Sequence, residues 1–416
     1  MATTSTRRDA DRNDEQSLQG GTGEKSSVGF WMLMVGVVIM LAGLLFGYDQ
    51  GVISGALEGI KTIFKTTKPV IIYVSSTIAE VVTTLVAVGA RFGALRSRLR
   101  ADRIGRRRTV LFAAALFTVG ALVEALAPGT AVLVIGRLTV GFGVGVASVA
   151  APLYAAEQAP THLRGRFVST YQLAITIGIF VAYLVDQALT NGSSWRMMLG
   201  VSAVPGVLLL LAMAPMPEST RWLVGVGRRK EAAAGLAKLD VDAALDTIEQ
   251  AAREEDADRA SWGEVFSKAL RKPLTVGVGL AIFQQITGIN AIIYYADEIF
   301  AEAGFSTPAD QASATTWAVG GVNVLATFIA VAYVDRVGRR PLLFAGLIGM
   351  ATSLTTVGIA FQFMDKADTS GTGTGGIRNE RPGRRKISTA CATSPSAASA
   401  IAAISATEHG RRPPRG

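Results

Sequence analysis

Asp102-Arg103-Ile104-Gly105-Arg106-Arg107 and Asp335-Arg336-Val337-Gly338-Arg339-Arg340 share one pattern, D-R-x-G-R-R. The first copy closes a short loop between two apolar runs. The second closes a loop at the matching place between two later runs. Chance recurrence of Asp, Gly and the arginines at such places is improbable, so the repeat implies two homologous halves, an architecture common among secondary transporters. Arginines at a span end can clamp carboxylates and helix C-terminal carbonyls of a neighbouring helix. The plainer reading of the same charges is a topology signal.

Composition agrees with a membrane chain. Of 416 residues, 50% are hydrophobic and 18% charged, the latter below the ~25% usual for soluble domains. The mean hydropathy is +0.36. The apolar residues gather in runs of about 20, enough to cross ~30 Å of hydrocarbon. The fold class expected is an all-α membrane protein. A net charge of +9 would suggest nucleic acid in a soluble protein, but here the Lys and Arg sit largely in short loops. No aromatic-interleaved basic patch or nucleic-acid module occurs. One cysteine, Cys391, excludes an intramolecular disulfide framework and a cysteine metal site. His162 and His409 are far apart.

Nine spans are expected, at 30–57, 70–92, 109–127, 131–155, 167–188, 196–215, 274–296, 312–334 and 341–363. The loops alternate in charge, and the positive-inside rule places the N-terminus and the Arg-rich loops in the cytoplasm. Lys61, Lys65 and Lys68, on the predicted outer side, dissent. Residues 1–28 are polar, carry both charge signs and lack a signal-peptide pattern, so a disordered cytoplasmic tail is expected. A six-helix bundle, 29–215, and a partial second bundle, 273–364, flank a linker over 216–272. Two helix-prone stretches lie in that linker, 227–239 and 241–256. The second has apolar residues near a three-to-four spacing.

Two charges fall inside apolar runs. Asp49 lies in Phe46-Gly47-Tyr48-Asp49-Gln50-Gly51-Val52-Ile53-Ser54-Gly55, and Arg137 follows the apolar start of the fourth run. A charge at a helix centre costs about 2.5–3.5 kcal/mol on insertion scales and normally marks an ion or substrate pathway. Asp49 either reaches water at a helix end or faces a partner. Arg137 either snorkels or pairs, with Asp49 as the obvious partner. Gln284, Gln285 and Asn290 are neutral amides in the seventh run. Amides both donate and accept, as sugar hydroxyls do, and they also join helices to one another. Gly141 and Gly145 form a G-x-x-x-G packing face, with no preceding strand that would make a dinucleotide loop. No catalytic triad, metal cluster or P-loop is present, and no enzyme is expected.

The chain resembles the sugar porter family of the major facilitator superfamily. The first-run motif quoted above, both D-R-x-G-R-R loops and Gly136-Arg137 match its patterns. So do Pro152-Leu153-Tyr154 with Glu157 and Arg164-Gly165-Arg166, Pro217-Glu218-Ser219-Thr220-Arg221-Trp222, and Gln284-Gln285-Ile286-Thr287-Gly288-Ile289-Asn290 with Tyr294-Tyr295. Thr220 stands where the family usually has proline.

The resemblance implies a transporter of monosaccharides working by alternating access. Gln172, Gln284, Gln285, Asn290 and Asn323 would contact the sugar, and Phe46 would offer an apolar face to its ring or serve the core. Asp49 paired with Arg137 would couple transport to protons, since family members that only facilitate diffusion tend to be neutral at that position. Asp102, Arg103, Arg106, Glu157, Arg164, Glu218, Arg221, Asp335, Arg336 and Arg339 would form the salt-bridge network that locks the outward-facing state. The implied partners are a monosaccharide, a proton and the lipid bilayer. No cofactor, no metal and no nucleic acid is implied. A monomer in the plasma membrane is expected. The alternatives are a facilitative sugar or inositol uniporter, a sugar receptor, and a non-functional product.

The family has twelve spans and this sequence offers nine. After Met364 it turns to Thr372-Gly373-Thr374-Gly375-Gly376 and an Arg-, Ser-, Ala- and Pro-rich stretch. The reading is a C-terminally truncated porter with an aberrant disordered tail over 365–416, from a frameshift or mis-spliced gene model near 365–377. Arg91, Arg96, Arg98 and Arg100 also depart from the small residues usual around the end of span two.

Overall fold

The computed structural model describes residues 29–66, 72–159, 164–190, 195–239 and 270–370. Helices account for nearly all of them, and no strand occurs among the described residues. The first half comprises α1 (Phe30–Thr66), α2 (Ile72–Ile104), α3 (Arg106–Ala125), α4 (Thr130–Gln158), α5 (Arg164–Leu189), α6 (Trp195–Val201) and α7 (Ala203–Met213). Two short helices follow, α8 (Thr220–Gly225) and α9 (Arg229–Leu239). The second half has α10 (Arg271–Ile286), α11 (Ile289–Glu302), α12 (Pro308–Ala314), a π-helical segment Thr315–Gly321, α13 (Val322–Val337) and α14 (Arg339–Ser370).

Among the described residues, seven stretches are long and apolar enough to cross a bilayer: Phe30–Leu57, Arg106–Ala125, Thr130–Gln158, Gly165–Leu189, Trp195–Met213, Arg271–Glu302 and Pro308–Val334. Helices α2 and α14 occupy the two remaining expected spans. Several boundaries differ from expectation. Helix α1 runs past 57 to Thr66, so part of the dissenting lysine loop is helical. Helix α2 does not stop at 92 but carries its arginines to Ile104. Its end is held by burial of Ala101, a Ser97 Oγ to Val146 carbonyl hydrogen bond of 3.0 Å, and Arg100 stacked 4.3 Å over the Phe112 ring. Arg91 is exposed. The helix-prone stretch at 227–239 forms α9, whereas the one at 241–256 lies outside the described residues, as do 1–28 and 371–416. Residues 365–370, expected as tail, belong to α14.

Glycine decides which helices meet. Gly43, Gly47, Gly51 and Gly55 form a stripe with a spacing of four along α1, against α5. A Cβ on Gly43 would stand 2.7 Å from the Tyr171 carbonyl oxygen, one on Gly51 2.9 Å from that of Ile179, and one on Gly47 would collide with the Ile175 carbonyl. Small residues let helix backbones approach where lipid offers no hydrophobic drive. A second ladder joins α2 to α4, where Gly141 and Gly145 face the carbonyls of Val86 and Ala90, and Gly89 faces that of Leu138. The expected G-x-x-x-G face is therefore a seam between α2 and α4.

Apolar side chains fill the rest of the first bundle in two clusters. One, near the Arg-rich ends of the helices, joins α1, α3, α4 and α7 around Leu45, Phe117, Val140 and Tyr154. The other, towards the far ends, joins α1, α2, α4, α5 and α6 around Tyr48, Ile53, Leu133 and Trp195.

The sequence repeat reappears in the backbone. Gly105 has φ 99° and ψ 158°, and Gly338 has φ 88° and ψ 159°. Each separates two helices at the same place in its half. Only glycine adopts this region without strain, which is why both copies of the pattern carry it.

The halves touch at their far ends. Helix α11 buries Ile292, Ile293, Ala296 and Phe300. The Tyr183 hydroxyl donates to the Ile293 carbonyl (3.0 Å), Thr316 donates to the Tyr183 carbonyl (3.0 Å), and the Asp297 amide donates to Ser54 Oγ (3.2 Å). Phe180 and Trp317 pack edge to face. Helix α10, towards the Arg-rich end, buries none of its residues. The side-chain contacts between the halves among the described residues thus lie at the far end.

Candidate functional site

Asp49 reaches the middle of the first bundle because the glycines on either side, Gly47 and Gly51, seat α1 deep against α5. Arg137 comes to it from α4. Arg137 Nη1 donates to Asp49 Oδ1 at 3.1 Å, and their side chains are 1% and 4% exposed. The two charges that stand out in the sequence are therefore a buried ion pair, and Arg137 does not snorkel.

A third charge, which the sequence reading missed, completes the group. Glu124, near the end of α3, is 1% exposed and holds Oε2 3.6 Å from the same Arg137 Nη1. It had a signal, being an acid inside an apolar run as Asp49 is. Beside the pair lies a cavity of about 10 Å³ lined by Asp49, Ile53, Thr83, Val86, Arg137 and Tyr294. It is too small for a sugar and about the size of one water. Tyr294 belongs to α11, so the pair borders the second half as well as the first.

The amides occupy a different environment. Gly288, at φ 73°, breaks the seventh span into α10 and α11, as discontinuous transporter helices require. Across that break Asn290 Nδ2 donates to Gln285 Oε1 at 3.1 Å. Gln284, Gln285 and Gln172 are exposed, and Asn290 and Asn323 are half-buried. Unused amide donors and acceptors so displayed suit a polyhydroxylated ligand. Phe46 is half-buried and packs on the apolar cluster of α1, α3, α4 and α7, so its face belongs in part to the core.

At the Arg-rich end a charged network ties α2, α3, α4 and α8 together. Arg106 Nε meets Glu157 at 3.0 and 3.1 Å, its Nη2 meets Asp102 at 3.1 Å, and its Nη1 donates to the Ala101 carbonyl. Ser219 Oγ donates to Glu157. Glu218 Oε1 accepts from the amides of Arg107 (2.8 Å) and Ser219 (3.0 Å). Gly105 makes room for Glu218, whose carboxylate carbon would lie 2.7 Å from a Cβ there. Trp222 Nε1 donates to the Asp102 carbonyl. Arg103 and Arg336 are exposed. Arg221 lies in the first turn of α8, which Ser219 caps by accepting from the Trp222 amide. The side chains of Arg164, Asp335 and Arg339 lie outside the described residues. Among the described residues no ion pair joins this network to the second half.

Comparison with known proteins gives the family. Residues 35–377 match the model of the sugar (and other) transporter family. The chain is 42% identical over 321 residues to the glucose transporter GlcP of Staphylococcus epidermidis, covering 77% of this chain and 70% of that one. It is 41% identical over 326 residues to the galactose-proton symporter of Escherichia coli, covering 76% and 67%. Its fold superposes on the proton:xylose symporter XylE of E. coli bound to 6-bromo-6-deoxy-D-glucose with a TM-score of 0.69 at 29% identity, covering 90% of this chain and 80% of that one. These relatives are transporters rather than enzymes. The chain is a multi-pass membrane protein that belongs to the sugar transporter family, among the sugar porters of the major facilitator superfamily.

Proposed function

We propose that this protein carries a monosaccharide, a hexose or pentose, across the plasma membrane together with a proton. The observation that carries the reading is the buried Asp49–Arg137 pair, set where α1 and α4 border Tyr294 of the opposite half. Separating a buried pair by charge alone costs about 3–5 kcal/mol. Protonation of Asp49 removes the attraction without leaving a bare carboxylate. The proton thus decides whether α1 is tied to α4, and so whether the first bundle is free to rock against the second. The named activities of the galactose and xylose symporters favour the same coupling.

The amides Gln172, Gln284, Gln285, Asn290 and Asn323 bind the sugar hydroxyls in this reading, and Phe46 borders the ring. The Arg-rich end is cytoplasmic, so the contacts between the halves at the far end correspond to an inward-facing carrier. The network of Arg106, Glu157 and Glu218 stiffens the cytoplasmic ends of the first bundle. The proton is the coupling ion, no cofactor takes part, and a monomer suffices.

The test is uptake of labelled glucose, galactose, xylose and inositol into vesicles holding the purified protein, with and without an inward proton gradient. Gradient-driven accumulation that disappears in Asp49→Asn is expected. Uptake indifferent to the gradient would make the protein a uniporter. Binding without uptake would make it a receptor.

A further inference from the structure

The geometry points to Glu124 as a positioning residue for the proton step: it takes Arg137 over when Asp49 is protonated. This rests on the symport reading above. One guanidinium nitrogen, Nη1, stands between two carboxylates, 3.1 Å from Asp49 Oδ1 and 3.6 Å from Glu124 Oε2. The remaining capacity is unused on both sides. Arg137 Nε and Nη2 and Glu124 Oε1 are buried and have no hydrogen-bond partner. A small rotation of the guanidinium therefore improves the Glu124 contact as it loosens the Asp49 contact.

The packing keeps Glu124 within reach. Gly136 precedes Arg137 on α4, and a Cβ there would lie 2.6 Å from Glu124 Cγ. The absence of a side chain at 136 is the space that Glu124 occupies. Among the described residues the lining of the cavity adds no further carboxylate or cation: α2 contributes Thr83 and Val86, and α11 contributes Tyr294. The buried Asp186 of α5 lies further along α1, where it accepts from the Gly55 amide. Helix α6, packed on α3, carries Arg196, which is engaged with the Ala127 carbonyl at 2.9 Å and the Trp195 ring.

The step needs such a residue. Once Asp49 is neutral, Arg137 would otherwise remain a buried cation with no counter-charge, which is strongly destabilising. Glu124 supplies that counter-charge. When the proton leaves, Arg137 returns to Asp49.

The experiment combines thermal unfolding of the purified full chain with the pH profile of gradient-driven uptake. The variants are Asp49→Asn, Glu124→Gln, the double substitution and Glu124→Asp. Each single neutral variant leaves Arg137 one carboxylate and should unfold near the wild-type temperature. The double variant should lose far more than the sum, or fail to fold while both singles fold. In Glu124→Gln the midpoint of the uptake profile should move acid by about one pH unit or more, and Glu124→Asp should return it towards wild type. Additive losses in unfolding temperature would overturn the sharing of Arg137. An unmoved midpoint in Glu124→Gln would overturn its part in the proton step. Should wild-type uptake ignore the gradient, the symport reading fails, and with it the proton step. The unfolding cycle still decides whether Arg137 is shared.

Discussion

Tyr183 of α5 donates a hydrogen bond to the backbone carbonyl of Ile293 on α11 at 3.0 Å, and so latches one half of the protein to the other. One turn further along, Asp297 of α11 receives the Thr315 hydroxyl at 2.5 Å while its amide reaches Ser54 of α1. The Tyr183 bond and the Asp297 amide bond cross between the halves, whereas the Thr315 bond lies within the second.

Removing the latch should bias the carrier open at that end. A neutral hydrogen bond contributes about 1 kcal/mol net, so Tyr183→Phe should raise the far-open population about fivefold. Labelling of a cysteine placed at Ile53, in a background with Cys391 replaced by serine, reads this from the far side of the membrane. Unchanged labelling would show that the latch carries no weight in the equilibrium.

The two repeat glycines make a paired test. Gly105→Ala and Gly338→Ala both force alanine into a glycine-only region, a strain of about 1–3 kcal/mol. At Gly338 nothing lies within 4 Å of the added carbon, whereas at Gly105 it meets the Glu218 carboxylate. Gly105→Ala should therefore lower the unfolding temperature more than Gly338→Ala. Equal losses would mean that Glu218 yields freely.

Arg106 is held by Glu157, Asp102 and the Ala101 carbonyl at once. A lysine ammonium cannot copy that fork. Arg106→Lys should destabilise the protein nearly as much as Arg106→Ala, by about 3 kcal/mol for a pair this sheltered. Chemical or thermal unfolding of the two variants checks the ranking, and a near-wild-type lysine variant would contradict it.

Much of this architecture is legible in the sequence, because lipid forces apolar residues into continuous runs and charges into loops. The Asp49–Arg137 pair is legible for the same reason, since a charge in an apolar run requires a partner. The arginines of α2 are misleading by the same rule. They read as a loop, yet they continue a helix because Ala101 is buried and Arg100 finds an aromatic face. Glu124 escapes notice because it sits five residues before Gly129, near a helix end, where an acid ordinarily reaches water. Only the crossing of α3 and α4 at Gly136 turns it inward. The amides are visible by type, but their exposure depends on how the helices of the two halves meet, which no local pattern encodes.

The glycine stripe on α1 has a mechanical meaning. Side chains can absorb small displacements by changing rotamer, but two backbones in direct contact cannot. Between Gly43 and Gly55, α1 is therefore geared to α5 with almost no slack. Asp49 sits midway along that stretch, and Gly55 at its end donates to Asp186, one turn beyond the Tyr183 latch. A displacement of Asp49 is thus passed to the Tyr183 end as the movement of one stiff part rather than through a relay of side chains.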